Sequence, residues 1–207
     1  MMGSYPVPNV GTMTSTGLTA AQMAVIWQNL VLQCLGIAPS GPTDPVAYSQ
    51  VRIDWPTPGQ PAWPITSDVA FIRAVEVPDD YNYAHEVQQP VSNAPTYPEN
   101  TVYTRVWEIG FIFYGPNSCD HARQVKACLF QEFIHDILEA SNLYIDTMVG
   151  TPRRSPELFQ NQWWERSGFS VRMNEMVTDT LTKQNIESVE VIVNTFNGVS
   201  SDVTIEF

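Results

Sequence analysis

The sequence predicts an α+β fold, in which two helices pack on a mainly antiparallel sheet in the order α-β-β-β-α-β-β. Two segments place apolar residues at helical spacing, and three segments between them have the pattern of apolar strands. In the last third of the chain, apolar and polar residues alternate, which is typical of half-buried strands. A chain of 207 residues can bury a sizeable core. We therefore predict a single domain over residues 19–207, preceded by a flexible N-terminal arm over residues 1–18.

The first predicted helix begins after Thr19 and ends near Leu35. Thr19 and Gln22 have the spacing of a capping box, in which two side chains satisfy free backbone N–H groups. The apolar residues of the segment recur every three or four positions: Met23, Ile26, Trp27, Leu30, Val31 and Cys34. Gly36 then supplies a stop, because glycine readily takes the conformation that ends a helix.

Three strands are predicted before the second helix, over residues 50–55, 68–77 and 102–114. The proline-rich residues 56–64 form a turn-rich loop between the first two strands. Residues 78–101 are predicted to form a long irregular loop. Structureless loops of more than ~12–15 residues are uncommon in compact domains and are usually functional or disordered. The tyrosines of this loop suit contact with another protein.

The second predicted helix covers residues 119–140 and is capped by Asn117 and Ser118. Its predicted buried stripe consists of apolar residues at helical spacing: Ala122, Val125, Leu129, Phe133, Ile137 and Leu138. Residues 146–162 are then predicted as a second irregular stretch.

A long antiparallel hairpin is predicted at the C-terminus, because residues 169–175 and 189–193 both alternate with a period of two. The polar residues 178–185 are predicted to join its two strands, which places a tip near Thr180 to Lys183. We expect this hairpin to extend the sheet and to offer an edge or a tip.

The charge balance argues against binding to duplex DNA. The chain carries 10 basic and 22 acidic residues, a formal net charge of −12, and its only basic doublet is Arg153-Arg154. A duplex-binding surface needs clustered Lys and Arg to replace counterions. No apolar run approaches the ~20 residues of a membrane helix, and the N-terminus lacks the pattern of a secretory signal. The three cysteines, an odd number, do not indicate a disulfide framework.

The search for chemistry finds no catalytic, cofactor or metal site. Glu132 and His135, with Asp136 and Glu139 beside them, form the best candidate for a metal or acid/base site, since residues three apart share a helix face. A carboxylate-bridged centre needs a second copy of this motif, and the sequence has none. A solvated polar helix face is therefore favoured. Cys119 and His121 are too few and too poorly spaced for a closed zinc site.

The tryptophans divide into two groups. Trp55 and Trp107 fall on apolar strand faces, which favours core packing. Trp63, Trp163 and Trp164 lie in or beside predicted loops, which leaves them open as interface anchors. The same tryptophans could form a platform for carbohydrate, and this alternative remains open.

Three segments together resemble one known family. They are residues 51–63, with Val51-Arg52-Ile53-Asp54-Trp55-Pro56 and Gly59-Gln60-Pro61-x-Trp63, then Asp79-Asp80-Tyr81-Asn82, and Arg166 through Glu175. The spacing from Thr151-Pro152-Arg153 to Pro156-Glu157 and Trp164-Glu165-Arg166 fits the same family. The chain resembles the neck or tail-terminator proteins of tailed bacteriophages over roughly residues 20 to 197.

The resemblance implies a homo-oligomeric ring, usually hexameric, that caps the finished tail tube. The implied partners are the tail-tube protein, the head-side connector and, if the tail contracts, the tail sheath. DNA would pass through the lumen without sequence-specific binding, and no catalysis, cofactor or membrane is implied. The protein would be a virion component assembled in the host cytoplasm. An acidic lumen would keep DNA from adhering.

Candidate subunit or partner contacts come from the loops, the basic doublet and the hairpin tip: Trp63, Asp79, Asp80, Tyr81, Tyr83, Tyr97, Arg153, Arg154, Thr180 and Lys183. The nearest alternative is another head–tail connector or a tail-tube component. An alternative of a different class is a surface carbohydrate-binding module, and a hydrolase using Glu132, His135 or Asp136 ranks third.

Overall fold

The structure is a computed structural model that describes residues 12–41, 44–53, 63–90, 96–159, 161–184, 188–194 and 200–206, the last two ranges as backbone only. It divides into two compact units. The larger contains Gly17–Ala84 and Tyr103–Val177. The smaller is drawn from the described residues within 1–16, 85–102 and 178–207. That residues 19–207 act as one domain therefore stays a prediction.

The described residues form both α-helices and β-strands, as predicted. The helices are α1 (Ala20–Cys34), α2 (Pro45–Gln50), α3 (Ser118–Cys128) and α4 (Glu132–Glu139), with a 3₁₀ turn over Asp80–Tyr83. The strands that precede α3 are β1 (Met13–Ser15), β2 (Val51–Ile53), β3 (Val69–Glu76), β4 (His85–Gln88) and β5 (Thr96–Tyr114). The later strands are β6 (Leu143–Val149), β7 (Arg153–Arg154), β8 (Glu157–Phe159), β9 (Gln162–Trp164), β10 (Arg166–Gln184), β11 (Ser188–Asn194) and β12 (Ser200–Glu206).

The main sheet of the larger unit runs in the order β10-β5-β3-β2. Strand β3 is antiparallel to β5, with Val69 opposite Tyr114 and Arg73 opposite Gly110. Strands β6 and β7 pair antiparallel with β10. Strand β2 pairs with β3 in parallel. The prediction of an α+β fold with a mainly antiparallel sheet is confirmed.

Helix α1 forms as the sequence predicts. The Thr19 side chain accepts a hydrogen bond from the Gln22 backbone N–H, and the Gln22 side chain accepts one from the Thr19 N–H. This closes the predicted capping box. Trp27 and Leu30 are buried against the face of the sheet that carries Ile72 and Phe111. The main core therefore lies between this face and the helices.

Helix α2 was not predicted, although its start signal is present in the sequence. Asp44 accepts hydrogen bonds from the backbone N–H groups of Val46 and Ala47, and Pro45 occupies the first helical position. The same carboxylate accepts from the backbone and the hydroxyl of Ser40.

We expect Asp44 to titrate well below the usual range of aspartate. The hydrogen bond from the Ser40 backbone, followed by that from Ala47, lowers the pKa of Asp44 from 3.8 to about 2. A lowered pKa means that the carboxylate stabilises the fold above pH 3.8, and this contribution is lost as the pH falls toward 2. An NMR titration of the Asp44 carboxyl carbon measures this directly. A midpoint near 3.8 would contradict the capping role.

The second predicted helix is wrong as a continuous element, because it is two helices with a break at residues 129–131. In α3, Ala122, Val125 and the cap residue Leu129 are buried. An unbroken helix would carry Glu132, Phe133 and Asp136 onto the same core stripe. The break turns Ile134 inward, whereas Phe133, predicted to be buried, is 43% exposed. Leu138 is buried, as predicted. The predicted cap also differs, since the Asn117 side chain bonds Asp68 rather than the helix.

The two predicted irregular stretches contain regular elements. Residues 78–101 hold the 3₁₀ turn, β4 and the start of β5, while residues 91–95 lie outside the described residues. Residues 146–162 hold the end of β6, together with β7, β8 and the start of β9. Short strands of two or three residues are too brief to show a periodic pattern.

The predicted C-terminal hairpin is wrong in its pairing. Strand β10 continues without a turn to Gln184, so Thr180 and Lys183 lie in a strand. Its partners are β5, β6, β7 and β1, whereas β11 pairs with β12, with Val191 opposite Val203. Residues 185–187 lie outside the described part of the chain.

Part of the predicted arm is structured. Residues 13–15 form β1, which pairs antiparallel with β10 so that Thr14 lies opposite Thr180. The Thr16 hydroxyl also accepts a hydrogen bond from the Thr178 N–H at 2.9 Å. Residues 1–11 lie outside the described residues. Of the helices that the structure describes, none has the length and apolar character required to cross a membrane.

Candidate interaction surface

The larger unit presents two tyrosines on a well-held turn. Asp79 caps the 3₁₀ turn by accepting a hydrogen bond from the Tyr81 N–H at 3.2 Å, and Asp80 is the first residue of the turn. Tyr81 is 66% exposed and Tyr83 is 76% exposed. Exposed aromatic side chains on a fixed backbone are typical contact residues, because little entropy is lost when they bind.

The side chain of Asn82 attaches this turn to the sheet. Its amide group donates to the Val77 carbonyl at 3.1 Å, and its oxygen accepts from the Val106 N–H at 3.2 Å. Asp79 lies 3.7 Å from Arg172 on β10, which adds a second tie to the sheet. The tyrosines of the predicted contact loop therefore lie on an ordered turn. Asn82, which attaches the turn to the sheet, was not among the predicted contact residues.

The expectation that Trp63 and Trp164 are open interface anchors is corrected by their burial. Both are less than one-tenth exposed, at 8% and 7%, in a second apolar cluster with Phe71 and Tyr114. The Trp63 ring lies 5.0 Å from Phe71 and 5.9 Å from Trp164, between centroids. Trp163 alone of the three is open, at 67% exposed. A carbohydrate platform of these tryptophans would have to break the cluster.

The basic doublet is split between two environments. Arg154 forms a bidentate ion pair with Glu165, in which two guanidinium nitrogens each donate to a carboxylate oxygen. This pair raises the pKa of Arg154 and lowers the pKa of Glu165. Arg153 is exposed and has no ion pair in the part of the chain that the structure describes. It lies opposite Gly168 of β10. Arg153 is therefore the member of the pair that remains available to a partner.

The remaining predicted contacts belong to the smaller unit. The Thr180 hydroxyl donates to the Asn100 side chain at 2.8 Å. Lys183 pairs with Glu99, which raises the pKa of the lysine and lowers that of the glutamate. Tyr97 is half-buried on β5. Thr180 and Lys183 therefore lie in a strand and not at the predicted hairpin tip, and Tyr97 lies in a strand and not in the predicted irregular loop.

The residues considered for catalysis lie together on an exposed part of one short helix. Glu132, His135 and Asp136 are exposed on α4. Among the described residues, no group of three or more His, Cys, Asp or Glu could hold a metal ion. Burial and a hydrogen bond with Cys128 raise the pKa of the Cys34 thiol well above its usual range. A thiol held protonated in this way is a poor nucleophile.

Sequence reasoning missed a set of arginines on the side of the sheet away from the helices. Arg73, Arg166 and Arg172 lie there on β3 and β10, at positions that alternate with core residues. The alternation of β10 is visible in the sequence, and it predicts two faces. It does not predict that the second face is covered only in part, by the cluster around Trp63 and Trp164, and that Arg73 and Arg172 stay exposed there.

The comparison with known protein families gives a match that covers most of the chain. Residues 24–199 match a family described as phage neck terminator protein. No curated protein matches the chain.

Proposed function

The chain belongs to the phage neck terminator family, and we propose that it forms a closed ring that ends the tail tube and joins it to the head-side connector. The observation that carries the proposal is the family match over residues 24–199. In this proposal the protein is a structural component of the virion neck, assembled in the host cytoplasm. It associates with other head and tail proteins and performs no catalysis.

The charge of the chain supports passage of DNA through such a ring. With 22 acidic and 10 basic residues, a ring of copies would carry a large negative charge. Like charge keeps the DNA backbone from adhering to the wall of the lumen. Binding the phosphates would require many clustered Lys and Arg, and the whole chain contains only 10 basic residues.

The tyrosine turn supports contact with a neighbouring protein. Tyr81 and Tyr83 project from a backbone that Asp79 and Asn82 hold in place. We therefore assign this turn to a contact with another subunit or with the tail tube. The alternative of a carbohydrate-binding module is less favoured, because two of the tryptophans that it would use, Trp63 and Trp164, are buried.

The first test measures the mass of the purified protein by light scattering across a concentration series, followed by negative-stain imaging of the largest species. We expect a closed ring, either alone or when purified tail tubes are added. Replacing Tyr81 and Tyr83 together with serine should weaken ring formation or tube attachment about tenfold or more, because buried interface aromatics dominate binding.

Tyr144→Ser is the matched control, since Tyr144 is also a partly exposed tyrosine of the larger unit, at 44%. It should behave like the unaltered protein. A protein that stays monomeric at every concentration and does not attach to tail tubes would contradict the proposal. Binding to glycans by that monomer would favour the carbohydrate alternative.

A further inference from the structure

One face of the larger unit's sheet carries an unusual share of the chain's positive charge. The helices cover the side with Ile72, Phe111 and Val171, so the alternate residues of the same strands point away from the helices. We call this side the arginine face and define it by four residues: Arg73, Arg153, Arg166 and Arg172. The whole chain has only 10 basic residues, so this concentration is not a consequence of composition.

Two grooves cross the arginine face and meet at Ile112 and Arg166. The first has a volume of about 280 Å³, and its lining includes Phe71, Tyr114, Arg73 and one acidic residue, Glu157. The second has a volume of about 250 Å³ and runs over Gly110 and Gly168, with Arg153 at its edge. The face therefore combines apolar depressions with guanidinium groups around them.

The glycines explain the second groove. A Cβ atom at Gly168 would lie 2.8 Å from the Phe111 carbonyl oxygen, so only glycine fits there. A Cβ atom at Gly110 would meet its nearest neighbour at 3.9 Å, an ordinary contact distance. The fold therefore requires glycine at position 168. At position 110 a larger side chain could begin without a clash, so the groove there is open because the residue is glycine.

The arginines of this face retain capacity for carboxylates. Arg166 and Arg172 have loose ion pairs, at 3.6 Å to Glu157 and 3.7 Å to Asp79. Arg73 and Arg153 are exposed and have no ion pair among the described residues. A guanidinium group presents five donors in a planar fork that matches a carboxylate. An acidic partner with apolar side chains would satisfy both parts of the face.

Helix α4 offers that chemistry on the other side of the same unit. Glu132, Asp136 and Glu139 are exposed and follow one another at helical spacing, and the described residues give them no ion pair. Phe133 is 43% exposed, and Phe130, just before the helix, is 58% exposed. An exposed aromatic and acidic helix face is complementary to apolar grooves bordered by arginines.

We propose that α4 of one copy docks on the arginine face of the next copy, with its carboxylates on the arginines and its phenylalanines in the grooves. This inference rests on the proposed ring and names the contact that closes it. The two surfaces lie on opposite sides of the sheet, so their pairing is heterologous. Heterologous contacts generate rings when the rotation closes.

Charge reversal on each surface tests the pairing. One variant carries Arg73→Glu and Arg153→Glu, and the other carries Glu132→Arg, Asp136→Arg and Glu139→Arg. Each variant alone should require at least about a tenfold higher concentration to form rings, because like charges then face each other. An equal mixture should assemble again, since each reversed surface finds its complement on the other variant. Misfolded variants could not produce this recovery.

Two further variants sharpen the test. Arg123→Glu reverses an exposed charge on α3, where Arg123 pairs with Asp120 and with no other acidic residue in the described part of the chain. It should leave assembly unchanged. Gly110→Leu places a side chain in the second groove, and its Cβ atom would meet no atom closer than 3.9 Å. The monomer should therefore fold with an unchanged circular dichroism spectrum while ring formation falls.

The outcomes separate this inference from the proposed function. Rings formed by the unaltered protein and equally by both charge-reversed variants would overturn the inference and leave the ring intact. Loss of assembly in both variants without recovery in the mixture would show that the two surfaces meet other partners, which also overturns it. An unaltered protein that forms no ring, even with tail tubes, would remove the proposed function itself.

Discussion

Glu175→Ala is expected to lower the free energy of unfolding by about 3 kcal/mol, because it removes the buried partner of a largely buried guanidinium. The Arg105 guanidinium then retains only a loose ion pair with the exposed Glu76, at 3.7 Å, and its bond to the Leu18 carbonyl. Glu175 is 1% exposed on β10. One of its carboxylate oxygens accepts hydrogen bonds from Arg105, at 2.8 Å, and from the Trp107 indole, at 2.7 Å. The other accepts from the Leu18 backbone N–H at 2.6 Å. Urea unfolding followed by tryptophan fluorescence measures the change.

Glu108→Ala is the control for this substitution. Glu108 lies on β5, opposite Val75, and is only half-buried, so its loss should change stability by no more than about 0.5 kcal/mol. Removing both charges with Arg105→Leu and Glu175→Leu should cost less than Glu175→Ala, since no buried charge is then left alone. Equal stability of the Glu175 and Glu108 variants would contradict the role that we assign to this carboxylate.

Trp27→Ala should destabilise the protein by about 3–5 kcal/mol, the usual cost of removing a buried tryptophan. Trp27 is fully buried on α1, and its ring packs edge-on against Phe111 with centroids 5.5 Å apart. Its indole N–H lies 3.2 Å from the Met173 sulfur. The substitution removes these contacts and opens a cavity between the helix and the sheet. Thermal unfolding by calorimetry gives the loss.

Trp163→Ala is a matched control, because it removes the same side chain from a surface site. Trp163 is 67% exposed on β9, and its loss should change stability by no more than about 0.5 kcal/mol. A cost at Trp27 no greater than that at Trp163 would show that the α1–sheet contact does not hold the fold together.

Glu175 also illustrates the limits of alternation as a predictor. The pattern of β10 places it on the same side as Phe169, Val171 and Met173, which is the buried side. A carboxylate at such a position needs a partner, but the sequence does not show which one. Arg105 is 70 residues away, and Leu18 is 157 residues away. Only the folded sheet brings these groups together.

The second helix shows how a local pattern can be continuous while the structure is not. Residues 119–140 have few helix breakers, and apolar residues recur through the whole segment. Two choices of buried stripe are possible, and the core accepts Ile134 and Leu138 rather than Phe133. The break at residues 129–131 changes the stripe, and this leaves the acidic face of α4 exposed.

Local signals in the sequence were sufficient for the capping box of α1, the alternation of β3, β5 and β10, and the acidic charge balance. Each of these depends on neighbouring residues or on composition alone. The family resemblance was also visible in the sequence, and the family match confirms it. The tertiary structure alone decided the partners of β10, the burial of Trp63 and Trp164, and the partial exposure of the arginine face. The physical reason is that alternation establishes that a strand has two faces, whereas its neighbours and the covering of each face depend on contacts between residues far apart in the chain.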